Sequence, residues 1–197
     1  MLKIGITGGI GSGKSVICRI FSQLGIAVYD ADRAAKRLID SDGTLKWQIK
    51  KEFGDTIFDM QNNLKRKELA GIVFINPDAL QKLNQLIHPV VKKDFDKWVL
   101  QRQHLPYIIK EAAILFESGA NEGLDYVIVV SAPEKLRMQR VMKRDEISEE
   151  KVKARSMNQM SEEEKIKRSD FVISNDEIQL VIPQVVALHN KFLSLKK

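Results

Sequence analysis

The chain has 197 residues, 44% of them hydrophobic and 29% charged, with one cysteine and a formal net charge of +6. A single cysteine excludes a disulfide framework and the zinc sites built from several cysteines, and we expect a reducing, cytoplasmic setting. The sequence has neither the roughly 18 consecutive apolar residues of a membrane span nor the apolar core of a signal peptide, so we expect no membrane association.

Five short apolar runs predict buried strands, with helical patterns between them. The strands are predicted at Leu2 to Thr7, Ala27 to Tyr29, Tyr107 to Ile109, Tyr126 to Ser131 and Phe171 to Ser174. Alternation of strands and helices is typical of an α/β fold, here a five-stranded parallel sheet with helices on both faces.

Two long segments interrupt this alternation. Residues 32–105 have an almost wholly helical pattern, with a break predicted at His88-Pro89 among others, and form a helical insertion between the second and third strands. Residues 134–168 hold 11 Lys/Arg and 8 Asp/Glu with few apolar anchors, which predicts a mobile, solvated pair of helices. Pro183 is expected in the first turn of a last helix.

The segment from Gly8 to Ser15 matches the phosphate-loop pattern G-x-x-x-x-G-K-[ST], after a strand and before a helix. Its glycines let backbone N–H groups turn toward phosphate oxygens, and the helix N-terminus adds unpaired donors. We expect Lys14 to reach the β- and γ-phosphates and the Ser15 hydroxyl to be a ligand of Mg²⁺. The expected ATP-binding residues are Gly8, Gly9, Ile10, Gly11, Ser12, Gly13, Lys14, Ser15 and Val16.

Acidic residues follow the second and third strands. Asp30 and Asp32 come after the second strand, at the sheet edge where ligands of parallel sheets bind. Asp32 can accept a proton from an attacking hydroxyl or orient it, although two acids at this point can also cap the next helix. Glu111 follows the third strand, at a position that suits either a base or a neighbour of Mg²⁺.

Three arginines, Arg137, Arg140 and Arg144, lie on one face of a predicted helix in the segment 134–168. The usual interpretation of such spacing is a solvated charged face. The alternative is a mobile lid that closes over phosphates, neutralises charge in the transition state and excludes water.

These residues resemble the dephospho-coenzyme A kinase family over nearly the whole chain. The segments that carry the likeness are Ile6 to Ser15, Tyr29 to Asp32, Phe53-Gly54, Leu64 to Arg66, Ile72 to Phe74, Leu86 to Pro89, Ile114 to Glu117, Arg140 to Asp145 and Val172 to Asn175. The resemblance implies transfer of phosphate from ATP, with Mg²⁺, to the ribose 3′-hydroxyl of dephospho-CoA, the last step of CoA biosynthesis. It also implies a P-loop kinase core at 1–31, 106–133 and 169–197, a CoA-binding insertion at 32–105 and a lid at 134–168.

The resemblance further implies roles for single residues. Asp32 corresponds to the family's catalytic acid, Lys14 to its phosphate-binding lysine, Arg140 and Arg144 to its lid arginines, and Asn175 to a residue near the adenine. The remaining residues implied for substrate binding are Arg66, His88, Leu115, Phe116 and Glu117. The chain departs from the family pattern at Val16, where the family usually has threonine, and at Glu111, where it commonly has aspartate.

Two other functions compete with this interpretation. The nearer one is another P-loop kinase that acts on a nucleoside, a nucleotide or a small alcohol. The second is a nucleotide-dependent nucleic-acid-binding protein, suggested by the net positive charge but lacking the aromatic residues interleaved with basic ones that single-strand binding uses. We therefore expect a small-molecule substrate, no nucleic-acid partner and a monomer.

Overall fold

The computed structural model describes residues 1–73, 75–157 and 159–195. Phe74, from one of the segments that carry the family resemblance, lies outside the described residues, as does Asn158 of the segment 134–168. The strands are β1 (Leu2–Thr7), β2 (Ala27–Asp30), β3 (Tyr107–Glu111), β4 (Tyr126–Ser131) and β5 (Phe171–Ser174). The helices are α1 (Lys14–Gln23), α2 (Ala31–Ser41), α3 (Gly43–Phe53), α4 (Arg66–Val73), α5 (Pro77–Leu100), α6 (Glu134–Asp145), α7 (Glu149–Ser156), α8 (Glu162–Lys167) and α9 (Val181–Ser194), with a short 3-10 helix at Asp55–Ile57.

The five strands form one parallel sheet in the order β2-β3-β1-β4-β5, which confirms the predicted architecture. All five strands lie where the apolar runs predict them. β2 and β3 extend past their apolar runs, and their last residues, Asp30 and Glu111, are paired in the register of the sheet. The sheet therefore brings these two acidic positions together at the carboxyl edge, beside the end of β1.

Both faces of the sheet are covered, as expected from central strands that are apolar throughout. Ile4 and Ile6 of β1 belong to the core cluster that also contains residues of α1 and α9, such as Phe21 and Phe192. The opposite face is so closely packed that a Cβ on Gly5 would lie 2.8 Å from Leu115 Cδ2. Central β1 is thus enclosed on both sides, which fixes the start of the loop that follows it.

Helix α5 contradicts the break predicted at His88-Pro89, because it continues from Pro77 to Leu100. An internal proline removes one helical hydrogen bond and costs about 3 kcal/mol. A stripe of apolar side chains at four-residue spacing offsets this cost, since each contributes about 1.5–3 kcal/mol on full burial. The buried side chains of this stripe are Leu83, Ile87, Val91 and Phe95.

The chain forms two compact units, one of Met1–Asp30 with Trp98–Lys197 and the other of Ala31–Lys97. The first holds the sheet. The second is made of helices, and ion pairs of 2.7 Å join Arg66 to Asp40 and Arg37 to Asp94 within it. Within residues 1–73, 75–157 and 159–195, none of the helices combines the length and apolar composition that crossing a membrane requires.

The segment 134–168 carries three helices, α6 to α8, where the sequence predicts a pair. The sequence does not show the division because the uncharged stretch between α7 and α8, residues 157–161, has neither a glycine nor a proline to mark a helix end. Val141, Val152 and Lys165 are each at most 1% exposed and give each helix one buried side chain.

Candidate active site

The loop between β1 and α1 forms the cradle that its sequence predicts. It is closed by a bond from the Ser12 amide to the Gly9 carbonyl (3.1 Å), and α1 begins directly after Gly13. The Lys14 side chain folds back along the loop, and its ammonium group donates to the carbonyls of Gly8 (2.9 Å) and Gly9 (3.3 Å). The cationic group therefore lies at the N-terminal arm of the loop.

Only glycine fits at several loop positions, and two of them illustrate the reason. Gly11 and Gly13 have φ angles of 79° and 93°, in the left-handed region. A Cβ on Gly11 would lie 2.4 Å from the Arg137 carbonyl oxygen, and one on Gly13 would lie 2.2 Å from Asn175 Nδ2. The positive φ angles thus account for these glycines of the motif, and the contacts with α6 and with the residue after β5 leave no room for a side chain.

Ser15 and Glu111 meet beside the loop. The Ser15 hydroxyl donates to Glu111 Oε1 over 3.1 Å. Burial raises the pKa of the Glu111 carboxyl above its usual value, and the neighbouring charge of Asp30 adds to this. Hydrogen bonds from the side chains of Cys18 and Ser15 and the ammonium of Lys14 oppose the shift. A hydroxyl and a carboxylate are oxygen donors of the kind that Mg²⁺ prefers, so this pair fits the ion's chemistry.

The three arginines of α6 have different partners. The Arg137 guanidinium lies over the loop, where a Cβ on Gly9 would be 2.2 Å from Nη1, and forms a 2.8 Å ion pair with Glu162. Arg140 Nη2 donates to the Asn175 carbonyl (3.1 Å) and to Glu177 Oε1 (2.9 Å), and Asn175 Nδ2 donates to the Ser12 carbonyl (2.7 Å). The structure thus brings Arg140 and Asn175 together beside the loop.

Arg144 is directed elsewhere. Its guanidinium donates to both carboxylate oxygens of Asp145 (2.7 and 3.0 Å), and this side chain is 65% exposed. Arg155 of α7 pairs with the same carboxylate over 2.7 Å. The two guanidinium groups hold the pKa of Asp145 below its usual value. The predicted common face of the three arginines is therefore divided, with Arg137 and Arg140 toward the loop and Arg144 in a surface ion pair.

Two buried polar atoms at this site have no hydrogen-bond partner among the described residues, Ser12 Oγ and Arg140 Nη1. Buried polar groups in proteins are almost always paired, so each unpaired group calls for an explanation. A hydroxyl inside the loop and a guanidinium nitrogen beside it are both donors to phosphate oxygens. Together with the glycine cradle, they fit a bound nucleoside triphosphate.

A cavity of about 710 Å³ lies beside the loop, between Ile10, Arg137 and Gln159. Gln159, in the connection from α7 to α8, accepts a hydrogen bond from the Ile10 amide over 2.8 Å. The sequence did not single out Gln159, because a neutral residue in a connection carries neither a motif nor a periodic pattern. Only the contact across 149 residues reveals it.

Comparison with known proteins decides the family. A family model described as dephospho-CoA kinase matches residues 2–180. The dephospho-CoA kinase of Porphyromonas gingivalis is 42% identical over 189 residues, which are 95% of this chain and 93% of that protein. The chain belongs to the dephospho-CoA kinase family.

Solved structures agree with this assignment. A protein of Thermus thermophilus has a TM-score of 0.83 and 33% identity, with 100% of this chain and 98% of that one covered. The dephospho-CoA kinase of Campylobacter jejuni has a TM-score of 0.70 and 29% identity, with 99% and 98% covered. The predictions of family and fold are thus confirmed for this dephospho-CoA kinase family chain.

The remaining site residues predicted for this family member are spread over the two units. Asp32 is exposed in the first turn of α2, Arg66 begins α4 and pairs with Asp40, and His88 lies within α5, all three in the second unit. In the first unit, Leu115 is fully buried. Substrate binding by these residues stays a prediction.

Glu117 of the same predicted set has a clear structural partner. Its Oε1 accepts from the Met160 amide (2.7 Å) and from the ammonium of Lys165 (3.0 Å). Phe116, beside it, is partly buried. Glu117 therefore holds the start of the α8 region against the segment that follows β3.

Proposed function

We propose that this protein transfers the γ-phosphoryl group of ATP to the ribose 3′-hydroxyl of dephospho-CoA, giving CoA and ADP. The observation that carries the proposal is the complete phosphate loop in a chain of this family, with the Lys14 ammonium on its N-terminal arm and the Ser15–Glu111 pair at its helix end. Kinase chemistry of this kind is mainly positioning and charge stabilisation, which is what these groups supply.

In the transfer, the 3′-oxygen forms a bond to the γ-phosphorus and the bond from that phosphorus to the β,γ-bridging oxygen breaks. The hydroxyl proton passes to a carboxylate, a role we give to Asp32. Its support is chemical and positional, since Asp32 lies two residues beyond the end of β2 in the chain. A positioned general base contributes about 10²–10⁴ in rate.

Charge on the phosphates is balanced by groups of the first unit. Lys14 and the loop amides face the β- and γ-phosphates, and Arg140 supplies a guanidinium nitrogen that has no partner in the described part of the chain. Mg²⁺, when bound, screens the phosphate charge, and Ser15 with Glu111 is the pair that would hold it. Asn175 is assigned to the adenine side of the nucleotide, next to Arg140.

The other parts are assigned by the same proposal. We give residues 32–105 the role of binding dephospho-CoA, with Arg66 and His88 as contact residues. Residues 134–168 are the lid, in which Arg144 turns from Asp145 to phosphate as the lid closes. Leu115, Phe116 and Glu117 border the acceptor.

The direct test incubates the purified protein with ATP, Mg²⁺ and dephospho-CoA and examines the product by mass spectrometry and by position-specific phosphatase digestion. One added phosphoryl group at the 3′-oxygen supports the proposal, and its loss on chelation of Mg²⁺ supports the metal. Transfer to another alcohol or nucleotide in a parallel panel, with none to dephospho-CoA, contradicts it.

The role of Asp32 has its own test. Asp32→Asn keeps the size of the side chain and removes the proton acceptor, so kcat is expected to fall by about 10²-fold or more. The Kd for ATP should change by less than about threefold. Asp96→Asn, on an exposed aspartate of the same unit, is the matched control and should leave kcat unchanged. A kcat within threefold of wild type for Asp32→Asn would exclude the base assignment.

A further inference from the structure

The side chain of Gln159 joins the phosphate loop to the core. Its Oε1 accepts from the Ile10 amide over 2.8 Å, and its Nε2 donates to the Ala113 carbonyl over 3.3 Å. Ala113 lies two residues after the end of β3. One carboxamide therefore bridges the loop and the segment after β3, and both ends of the bridge are main-chain groups.

This bridge lies at the end of the loop that faces the transferred phosphate. Lys14 reaches the β- and γ-phosphates in loops of this type. Here its ammonium rests on the carbonyls of Gly8 and Gly9, so the terminal phosphate borders the arm formed by these residues and Ile10. Gln159 is bonded to that arm, whereas Asn175 is bonded to the other arm, at Ser12.

The residues that follow Gln159 are held firmly. The Met160 amide donates to Glu117, and the fully buried Lys165 donates both to Glu117 (3.0 Å) and to the Ala113 carbonyl (3.1 Å). A buried ammonium that pairs with a carboxylate and a carbonyl stabilises one arrangement strongly, because losing the carboxylate would leave a buried charge without compensation. The placement of Gln159 is therefore set by the fold around it.

We propose that Gln159 is a positioning residue for the terminal phosphate of ATP: it holds the Gly8 to Ile10 arm of the phosphate loop and presents a neutral carboxamide to the γ-phosphate end of the site. The inference rests on the proposed function for the direction of ATP binding. It goes beyond it by giving a role to a lid residue that carries no charge. A neutral side chain matters here because a carboxylate would repel the phosphate.

The test compares nucleotides with and without a γ-phosphate. Binding of ADP and of the non-hydrolysable β,γ-imido analogue of ATP is measured by calorimetry for wild type, Gln159→Ala and Gln159→Glu. Gln159→Glu keeps the acceptor for Ile10 and adds a negative charge, so the analogue should bind about tenfold or more weakly. Its Kd for ADP should change by less than about threefold.

Gln159→Ala should lower kcat by about tenfold, because a misplaced phosphate arm loses its alignment for transfer. The KM for dephospho-CoA should remain within about twofold of wild type. Gln103→Glu is the matched control. Gln103 is exposed and precedes β3, at the opposite edge of the sheet from the loop, so the Kd values for ADP and for the analogue should both stay unchanged.

Three results would overturn the proposal. If Gln159→Glu weakens the binding of ADP and of the analogue equally and also lowers the melting temperature, the role of Gln159 is purely structural. If the Gln159→Ala protein binds the analogue more tightly than wild type, Gln159 competes with the phosphate for the Ile10 amide instead of positioning it. Unchanged binding and kcat would leave the bridge without effect. Because binding is measured with no acceptor present, these results stand even if dephospho-CoA is not the acceptor.

Discussion

The phosphate loop and the segment from α6 to α8 build one side of the site in different ways. The loop's shape comes from adjacent residues, through positive φ angles at Gly11 and Gly13 and a lysine that bonds carbonyls five and six positions before it. The α6–α8 segment is held by side chains whose partners are distant in the chain, such as Gln159 and Ala113, 46 positions apart. Local backbone geometry leaves a sequence motif, and distant pairing does not.

The largest effect is expected in the loop. Lys14→Met removes the only charge that the loop itself supplies to the phosphates, and removal of one preorganised donor typically costs 10²–10³ in kcat. We expect kcat to fall at least about a hundredfold, with circular dichroism unchanged. Lys191→Met, on an exposed lysine of α9, is the control and should retain full activity. A fall of less than threefold for Lys14→Met would mean that the loop does not hold the transferred phosphate.

The same difference between local and distant contacts explains which features could be predicted from the sequence. Strand positions, the parallel sheet and the loop were predicted because each rests on a local pattern: an apolar run, an alternation or a glycine spacing. The partners of Arg137, Arg140 and Arg144 were not, since a spacing of three and four residues fixes a helix face but not what that face contacts. The structure pairs Arg137 with Glu162, Arg140 with Asn175 and Glu177, and Arg144 with Asp145.

The next effect tests the distant pairing in α8. Glu162 accepts from Arg137 (2.8 Å), the Ser131 hydroxyl and the Ala132 amide (3.1 Å), and both charged side chains of the pair are less than 20% exposed. Glu162→Ala leaves these donors without their acceptor, so the free energy of unfolding should fall by about 2–3 kcal/mol. Urea unfolding followed by circular dichroism measures it.

The control for this variant breaks an exposed ion pair in the same segment. Arg155→Ala removes a guanidinium that is 43% exposed and pairs with Asp145, so the expected loss is less than about 1 kcal/mol. Equal losses for the two variants would contradict the idea that α8 is fastened to the core while α7 is held at the surface.

A smaller effect on the free energy of unfolding tests the backbone of the loop, with two glycine-to-alanine variants that should change it in opposite directions. Gly13→Ala places a Cβ 2.2 Å from Asn175 Nδ2 at a φ of 93°, and a left-handed alanine alone costs about 1–2 kcal/mol. The free energy of unfolding should fall by at least that amount. Gly71→Ala, inside α4 with nothing within 4 Å of the new Cβ, should instead raise it by about 0.5–1 kcal/mol. A Gly13→Ala protein as stable as wild type would show that the loop's conformation is not fixed by this glycine.

The prediction of a helix break at Pro89 was wrong for the same reason that the arginine partners could not be predicted: packing against distant residues decides the outcome. His88-Pro89 is a local signal for a helix end, but the decision is made by the buried stripe that runs past it from Leu83 to Phe95. A local cost of about 3 kcal/mol is outweighed when several side chains on one face are buried together. Local sequence signals therefore predict helix ends well only where no stripe of buried side chains continues past them.

The smallest effect is expected at Glu111, where the loop meets the sheet. Burial is the main cause that raises the pKa of this carboxyl above its usual 4.5, so the folded protein holds the proton more tightly than the unfolded chain. Stability is then lost as pH rises from that usual value to the raised pKa of the folded state, and the loss persists at higher pH. Glu111→Gln keeps an oxygen acceptor for Ser15 and has no proton to lose, so it should be more stable than wild type at pH 7.5 and no more stable near pH 4. Urea unfolding midpoints across this pH range measure the difference in stability between Glu111→Gln and wild type. If the variant's gain in stability grew toward low pH, the pKa shift would have the opposite sign and the charged form of Glu111 would be the stabilising one.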